Sequence, residues 1–212
     1  MKQLFQFEQR GYQTVAAWRD RAFLPIAKVL AAIGITPDML GYLRVLTMGL
    51  FVVMIERNLS LAFFLFVVSL STDWIDGVLA RHQGSASLRG RFIDLLCDNS
   101  SFALFIIGLL VAQLLTPITA TAYVFITLLA NVLRIMRNGL YFKLSHYLSA
   151  TVVGVASLTT GLTRLLFALY VLTTIDYLEL SSQLFSVVLV IEVVWSSVII
   201  ARLLNQRGAT AQ

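Results

Sequence analysis

The chain has 212 residues, of which 58% are hydrophobic and only 13% are charged, and its formal net charge is +5. Soluble domains carry about 25% charged residues, so this composition excludes an ordinary soluble protein and indicates a lipid bilayer as the main solvent. The single cysteine, Cys97, excludes an internal disulfide framework.

Residues 1–34 precede the first apolar stretch and interleave aromatic side chains with Lys and Arg. This pattern is typical of an amphipathic helix that lies on an anionic membrane surface. We therefore predict an N-terminal amphipathic juxtamembrane helix, which is also compatible with a role as a wall of an entrance for a lipid substrate.

Six apolar stretches follow, each near or above the roughly 20 residues needed to span a bilayer core. They predict an all-α integral membrane protein, a six-transmembrane-helix bundle formed by a single domain over residues 35–207, with a tail at 208–212. The predicted spans are 39–57, 60–81, 90–115, 118–140, 150–174 and 183–204.

The distribution of the sixteen Lys and Arg residues predicts the orientation of the bundle. If the N-terminus is cytoplasmic, almost all of them lie at one membrane face, with Arg44 and Arg164 about one to four turns inside it and Arg57 alone on the far side. This is the positive-inside pattern. It places both termini in the cytoplasm, at the inner membrane if the protein is bacterial, and it explains the basic charge without a nucleic-acid partner.

Four carboxylates interrupt the second and third predicted spans. Asp73 and Asp76 lie on one face of the second helix, and Asp94 and Asp98 on one face of the third. An eight-residue loop, 82–89, predicts that the two helices are antiparallel neighbours, and each pair then lies up to roughly 12 Å inside the cytoplasmic helix ends. A carboxylate at bilayer depth costs several kcal/mol and usually faces a polar cavity with a partner.

A divalent cation would neutralise such a cluster. Oxygen ligands select hard ions, so the carboxylates predict Mg²⁺ or Mn²⁺, with two ions plausible as in phosphoryl transfer. Small residues and one cation accompany them: Gly77, Ala80 and Gly90 leave room for close approach, and Arg81 is placed to meet a phosphate.

The full spacing is Asp73-x₂-Asp76-Gly77-x₂-Ala80-Arg81-x₈-Gly90-x₃-Asp94-x₃-Asp98. It resembles, position for position, the signature of the CDP-alcohol phosphotransferases (CDP-alcohol phosphatidyltransferases). The turn at Thr36-Pro37-Asp38 is also similar to the Thr-Pro-Asn turn common in that family.

The resemblance implies a metal-dependent membrane enzyme of phospholipid biosynthesis that transfers a substituted phosphoryl group from a CDP-alcohol to a hydroxyl and releases CMP. It implies that Asp98 is the general base. The remaining implied roles are metal binding by Asp73, Asp76, Asp94 and Asp98, and binding of the cytidine diphosphate by Asp73, Gly77, Ala80, Arg81 and Gly90.

The acceptor is less defined by the sequence. A basic cluster near the inner end of the fourth helix would suit a phosphorylated polyol such as glycerol 3-phosphate or inositol phosphate. Its candidate residues are Asn131, Arg134, Arg137, Lys143 and Arg164. Positive-inside topology would also place charge there, and a serine, choline or ethanolamine acceptor would not need the cluster.

The donor expected first is CDP-diacylglycerol, with CDP-choline or CDP-ethanolamine types as the alternative. A divalent-cation transporter or channel would also use intramembrane carboxylates, but it has no need for the small residues and Arg81 at these spacings. We further expect a homodimer, with the sixth helix as a candidate interface, and a structural role for Glu192 within that helix.

Overall fold

The computed structural model describes residues 19–85, 87–141 and 155–210. These ranges contain seven helices and no strand, which confirms the all-α class for the described part of the chain. The helices are α1 (residues 19–32), α2 (Pro37–Met54), α3 (Leu59–His82), α4 (Leu88–Val111), α5 (Pro117–Tyr141), α6 (Val155–Thr173) and α7 (Leu178–Thr210).

Five of these helices, α2, α3, α4, α5 and α7, are long and apolar enough to cross a membrane. In α6 the described apolar helix, Leu158–Thr173, is shorter. The predicted fifth span begins at residue 150, outside the described residues. The described residues therefore contain five candidate spans, whereas the sequence predicted six. Similarly, α1 is helical over 19–32, whereas residues 1–18 of the predicted juxtamembrane helix lie outside the described ranges.

The last helix is longer than the sequence predicted. It begins at Leu178 rather than at residue 183 and continues to Thr210, so most of the predicted 208–212 tail is helical. Polar residues at both ends obscured these boundaries, because a helix can extend beyond its apolar segment once its backbone hydrogen bonds are satisfied within the helix.

Side-chain caps set the starts of the helices in the first half of the chain. Thr36 has an extended backbone and its hydroxyl accepts a hydrogen bond of 3.4 Å from the Met39 N–H, while Pro37 follows at the first turn, where its missing N–H costs nothing. Asn58 and Ser87 cap α3 and α4 in the same way. The turn before α2 thus forms as its sequence predicts.

The chain forms two compact units, Met1–Leu115 and Thr116–Gln212, which we call the N-terminal and C-terminal units. In the N-terminal unit α2 packs extensively against both α3 and α4, whereas α3 and α4 share few direct contacts among the described residues. The predicted neighbours α3 and α4 meet mainly through side chains, as in the stacked rings of Phe66 and Phe105, whose centroids lie 5.4 Å apart.

An aromatic cluster holds α2, α3 and α4 together. The rings of Phe51, Phe66 and Phe105, one from each helix, lie with centroids 5.4 to 6.2 Å apart and are almost fully buried. Gly108 on α4 lies directly against this cluster: a Cβ there would be 2.3 Å from Cε1 of Phe51. The glycine therefore permits the close approach of α2 and α4.

Helix α1 packs on the same unit. Ala27 is fully buried in a cluster with Leu40 of α2 and with Val78 and Leu79 of α3, and partly buried apolar residues of α1 border it. This packing holds α1 against the second half of α3.

In the C-terminal unit α7 packs extensively on α5, and α6 packs on α7. Glu179 at the start of α7 accepts hydrogen bonds from the Thr116 N–H (2.9 Å) and from the hydroxyls of Thr116 and Thr119 at the start of α5. Further along α5, the buried hydroxyls of Tyr123 and Thr163 lie 2.7 Å apart and link α5 to α6.

Candidate metal centre and donor site

The four predicted carboxylates converge on one guanidinium, that of Arg44 on α2. Nη2 of Arg44 donates to Oδ1 of Asp94 at 2.9 Å and lies 3.2 Å from Oδ2 of Asp76. Nη1 is hydrogen-bonded to Oδ1 of Asp73 and to Oδ1 of Asp98. Each terminal nitrogen thus bridges α3 to α4, so the two helices meet through these side chains.

The cluster is buried on one side and open on the other. Arg44 is only 2% exposed, whereas the side chains of Asp94 and Asp98 are 53% and 47% exposed, and that of Asp73 is 29% exposed. Asp76 is mostly buried, at 12%. The carboxylates therefore form a layer between a buried cation and an accessible space.

The arrangement of the carboxylates fits a metal ion. Oxygen atoms of Asp73, Asp76 and Asp94 all lie within 4.8 Å of one another, close enough to share one cation. Carboxylate oxygens are the ligands of hard divalent cations such as Mg²⁺ and Mn²⁺. One guanidinium also offsets only part of the charge of four carboxylates, which leaves a negative site that attracts cations.

A second group of charges lies over Gly77, one residue after Asp76. A Cβ at Gly77 would be 3.3 Å from Nη2 of Arg19 and 3.5 Å from Nη1 of Arg81. Both guanidiniums therefore lie close beside Gly77, at the edge of the space that a side chain there would fill. Arg81 is paired with Asp20 of α1 through two hydrogen bonds, one of 3.0 Å from Nε to Oδ2. Nε of Arg19 is buried and has no hydrogen-bond partner among the described residues.

The other predicted donor-site residues lie at the helix ends. Gly90 is in the first turn of α4, where its N–H donates to Oγ of Ser87 at 3.0 Å, and a Cβ there would be 3.9 Å from Oδ1 of Asp38. Ala80 is half-buried on α3, one turn beyond Asp76. Both are in the same unit as the carboxylates.

The predicted acceptor residues belong to the C-terminal unit. Nη2 of Arg134 donates to Oδ1 of Asn131 at 3.0 Å on the same face of α5. Arg164 on α6 is half-buried, and within the described part of the chain its Nε has no hydrogen-bond partner. Lys143 and the side chain of Arg137 lie outside the described residues.

Two residues of these sites, Arg44 and Arg19, were interpreted from the sequence only as topology charges. For Arg44 a signal was available: it is a cation inside the first span, and intramembrane charges are normally paired. Four intramembrane carboxylates were its available partners. For Arg19 the sequence carried no such signal, because its proximity to Gly77 depends on the packing of α1.

The fold and the acidic cluster define a multi-pass helical membrane protein with charged residues buried between its spans. The model of the CDP-alcohol phosphatidyltransferase family matches residues 34–202. The chain therefore belongs to the CDP-alcohol phosphatidyltransferase family, as the resemblance of its signature indicated. Members transfer substituted phosphate groups in phospholipid biosynthesis, with a CDP-alcohol as donor and an alcohol as acceptor.

Among solved structures, the chain is similar to the apo form of the phosphatidylinositol phosphate synthase of Mycobacterium tuberculosis. The TM-score is 0.63 at 18% sequence identity, and the match covers 83% of this chain and 94% of that chain. At this identity the likeness shows the fold alone. No curated protein matches the chain significantly.

Proposed function

We propose that this protein transfers a phosphatidyl group from CDP-diacylglycerol to a hydroxyl of a phosphorylated polyol, such as glycerol 3-phosphate or inositol phosphate, with release of CMP. The observation that carries the proposal is the convergence of Asp73, Asp76, Asp94 and Asp98, all four carboxylates of the family signature, at one partly open site.

Asp73, Asp76 and Asp94 would hold Mg²⁺ or Mn²⁺, and Asp98 would complete a site with room for two ions. When bound, the metal offsets negative charge on the pyrophosphate of the donor, which is where charge increases as CMP leaves. The separation of their oxygens, within 4.8 Å for the first three residues, supports this assignment.

Asp98 would act as the general base. The acceptor oxygen attacks the phosphorus next to diacylglycerol, and the bond from that phosphorus to the oxygen shared with CMP breaks. Asp98 takes the proton of the attacking hydroxyl, and CMP leaves with the bonding electron pair. With its side chain 47% exposed at the open side of the cluster, Asp98 can reach a hydroxyl there.

The donor pyrophosphate would lie over Gly77, between Arg19 and Arg81. Guanidinium groups bind phosphate oxygens through charge-assisted hydrogen bonds, and the missing side chain at Gly77 leaves space beside both. Asp73, Ala80 and Gly90 would contribute the remaining surface of the cytidine diphosphate site.

The acceptor phosphate would bind to Arg134 and Arg164, with Asn131 holding Arg134 in place through their 3.0 Å hydrogen bond. Arg137 and Lys143 are further candidates. An uncharged acceptor such as serine or inositol remains the alternative, since it would not require these cations.

We also propose that the active site and both termini face the cytoplasm, at the inner membrane if the protein is bacterial, and that the enzyme is a homodimer. The positive-inside distribution of Lys and Arg supports this orientation. A donor with a lipid tail and a charged head group suits a site between membrane spans that opens to the cytoplasm.

A turnover screen with purified protein tests the proposal. CDP-diacylglycerol is supplied with Mg²⁺ or Mn²⁺ and, in separate reactions, with glycerol 3-phosphate, inositol phosphate, inositol, serine or a phospholipid, and CDP-choline is the rival donor. We expect metal-dependent CMP release and a new phospholipid, seen by mass spectrometry, with a phosphorylated polyol. Turnover only with CDP-choline, or only with an uncharged acceptor, would contradict the proposed substrates.

A further inference from the structure

The position of Arg44 behind the carboxylates suggests a role that the family signature does not contain. Arg44 lies on α2, whereas all eight signature positions lie on α3 or α4. Its side chain is 2% exposed and is in contact with all four carboxylates. A buried cation with four anionic partners is an integral part of this cluster.

The backbone around Arg44 is held on two sides. Its carbonyl oxygen accepts hydrogen bonds from Oγ1 of Thr47 (3.0 Å) and from Oγ of Ser69 on α3 (3.3 Å). One turn earlier, a Cβ on Gly41 would be 3.1 Å from Sγ of Cys97, so the glycine lets α4 approach α2 at this level. Together these contacts place the guanidinium at a defined point between α3 and α4.

Each contact with Arg44 uses one oxygen of a carboxylate. These are Oδ1 of Asp73, Asp94 and Asp98, and Oδ2 of Asp76. A carboxylate has two oxygens and several lone pairs, so a residue that bonds Arg44 through one oxygen can present the other to a cation on the accessible side. The guanidinium fork can therefore orient the ligands without occupying the metal site.

We propose that Arg44 is the positioning residue and internal counter-charge of the carboxylate cluster: it holds the four carboxylates together from the buried side before a metal binds. This inference rests on the proposed metal-binding role of the cluster. Without a cation, the carboxylates of α3 and α4 would repel one another and force the two helices apart at this level.

Thermal unfolding of the purified protein in detergent, in EDTA and in saturating Mn²⁺, tests the proposal. In EDTA we expect Arg44→Met to lower Tm by about 10 °C, as when a buried charge loses its partner. In Mn²⁺ at least half of that loss should be recovered, because the metal supplies positive charge. The control Arg57→Met removes an exposed cation between α2 and α3 and should shift Tm by less than about 2 °C in either condition.

A second pair of variants separates charge from packing. Arg44→Lys keeps the charge without the fork and should be more stable in EDTA than Arg44→Met. In Arg44→Met/Asp98→Asn one carboxylate is also neutralised, and Tm in EDTA should rise above that of Arg44→Met alone. If Arg44→Met yields no folded protein, recovery of folded protein with the double substitution supports the proposal, and failure to recover it overturns it.

An equal loss of Tm in EDTA and in Mn²⁺ would mean that Arg44 contributes packing only, and this would overturn the proposal, as would an unchanged Tm in EDTA. These measurements use no substrate. Absence of turnover in the unmodified protein would therefore reject the proposed reaction without altering the result for Arg44.

Discussion

Arg44 of α2 and Asp94 of α4 are joined by a hydrogen bond of 2.9 Å, from Nη2 to Oδ1, between residues 50 positions apart in the chain. The same nitrogen lies 3.2 Å from Asp76 of α3. Three helices of the N-terminal unit thus meet at one guanidinium, and the carboxylates of the family signature face the open side. This relationship gives the signature its geometry.

Neutralising a metal ligand should abolish turnover. For Asp76→Asn and Asp94→Asn we expect turnover to fall by about 10³-fold or more, because several kcal/mol of charge stabilisation by the metal would be lost. Glu56→Gln is the control: it removes an exposed carboxylate in the turn between α2 and α3, outside the cluster. CMP release at saturating donor and acceptor measures the effect, and a similar loss in all three variants would argue against a specific metal site.

Replacing the proposed base should slow chemistry while donor binding is kept. Asp98→Asn should lower kcat by about 10²- to 10⁴-fold, the usual contribution of general base catalysis, with the KM for CDP-diacylglycerol changed by less than about 3-fold. The measurement is initial rate against donor concentration at fixed Mn²⁺. If KM rises in proportion to the fall in kcat/KM while kcat is retained, Asp98 binds the donor instead of accepting the proton.

Removing either guanidinium beside Gly77 should weaken binding of the donor. Arg19→Gln and Arg81→Gln should each raise the KM for CDP-diacylglycerol about 10-fold, the value of one charge-assisted hydrogen bond. Arg57→Gln, far from Gly77 in sequence and exposed, serves as the control. An unchanged donor KM in Arg19→Gln would show that α1 contributes only packing to this side of the unit.

Substitutions at the proposed acceptor site should weaken binding of the acceptor and leave binding of the donor almost unchanged. Arg134→Gln and Arg164→Gln are expected to raise the KM for a phosphorylated acceptor about 10-fold each, because each removes one cationic partner of a phosphate. The KM for the donor should stay within about 2-fold. Equal effects on an uncharged acceptor, measured in the same assay with inositol or serine, would speak against phosphate recognition by these residues.

Packing between α2 and α4 predicts a change in stability. Gly108→Ala places a methyl group 2.3 Å from the buried Phe51 ring, so it should destabilise the fold by about 1–3 kcal/mol, as overpacked cores do. At Gly49, on α2, a Cβ would have no atom of the described residues within 4 Å, and Gly49→Ala should leave Tm unchanged or slightly raised. Thermal unfolding compares the two, and equal shifts would refute close contact at Gly108.

The apolar composition and the spacing of its interruptions were sufficient to predict a helical membrane protein and its family. The lipid bilayer imposes long apolar helices, and the eight signature positions between Asp73 and Asp98 lie on neighbouring segments of the chain. Both features are local, so they can be predicted without knowing which helices pack together. The Thr36-Pro37 turn is local in the same sense.

The partners of the carboxylates were decided only by tertiary structure. Arg44 and Arg19 lie 29 and 58 residues before Asp73 and Gly77, respectively, and only the packing of α2 between α3 and α4, and of α1 on α3, places them there. Sequence spacing predicts which side chains share a helical face, but it does not predict which helix covers that face. The sequence alone therefore determined the carboxylates of the proposed metal site, and the fold supplied the buried cation that holds them together, because that contact depends on three helices at once.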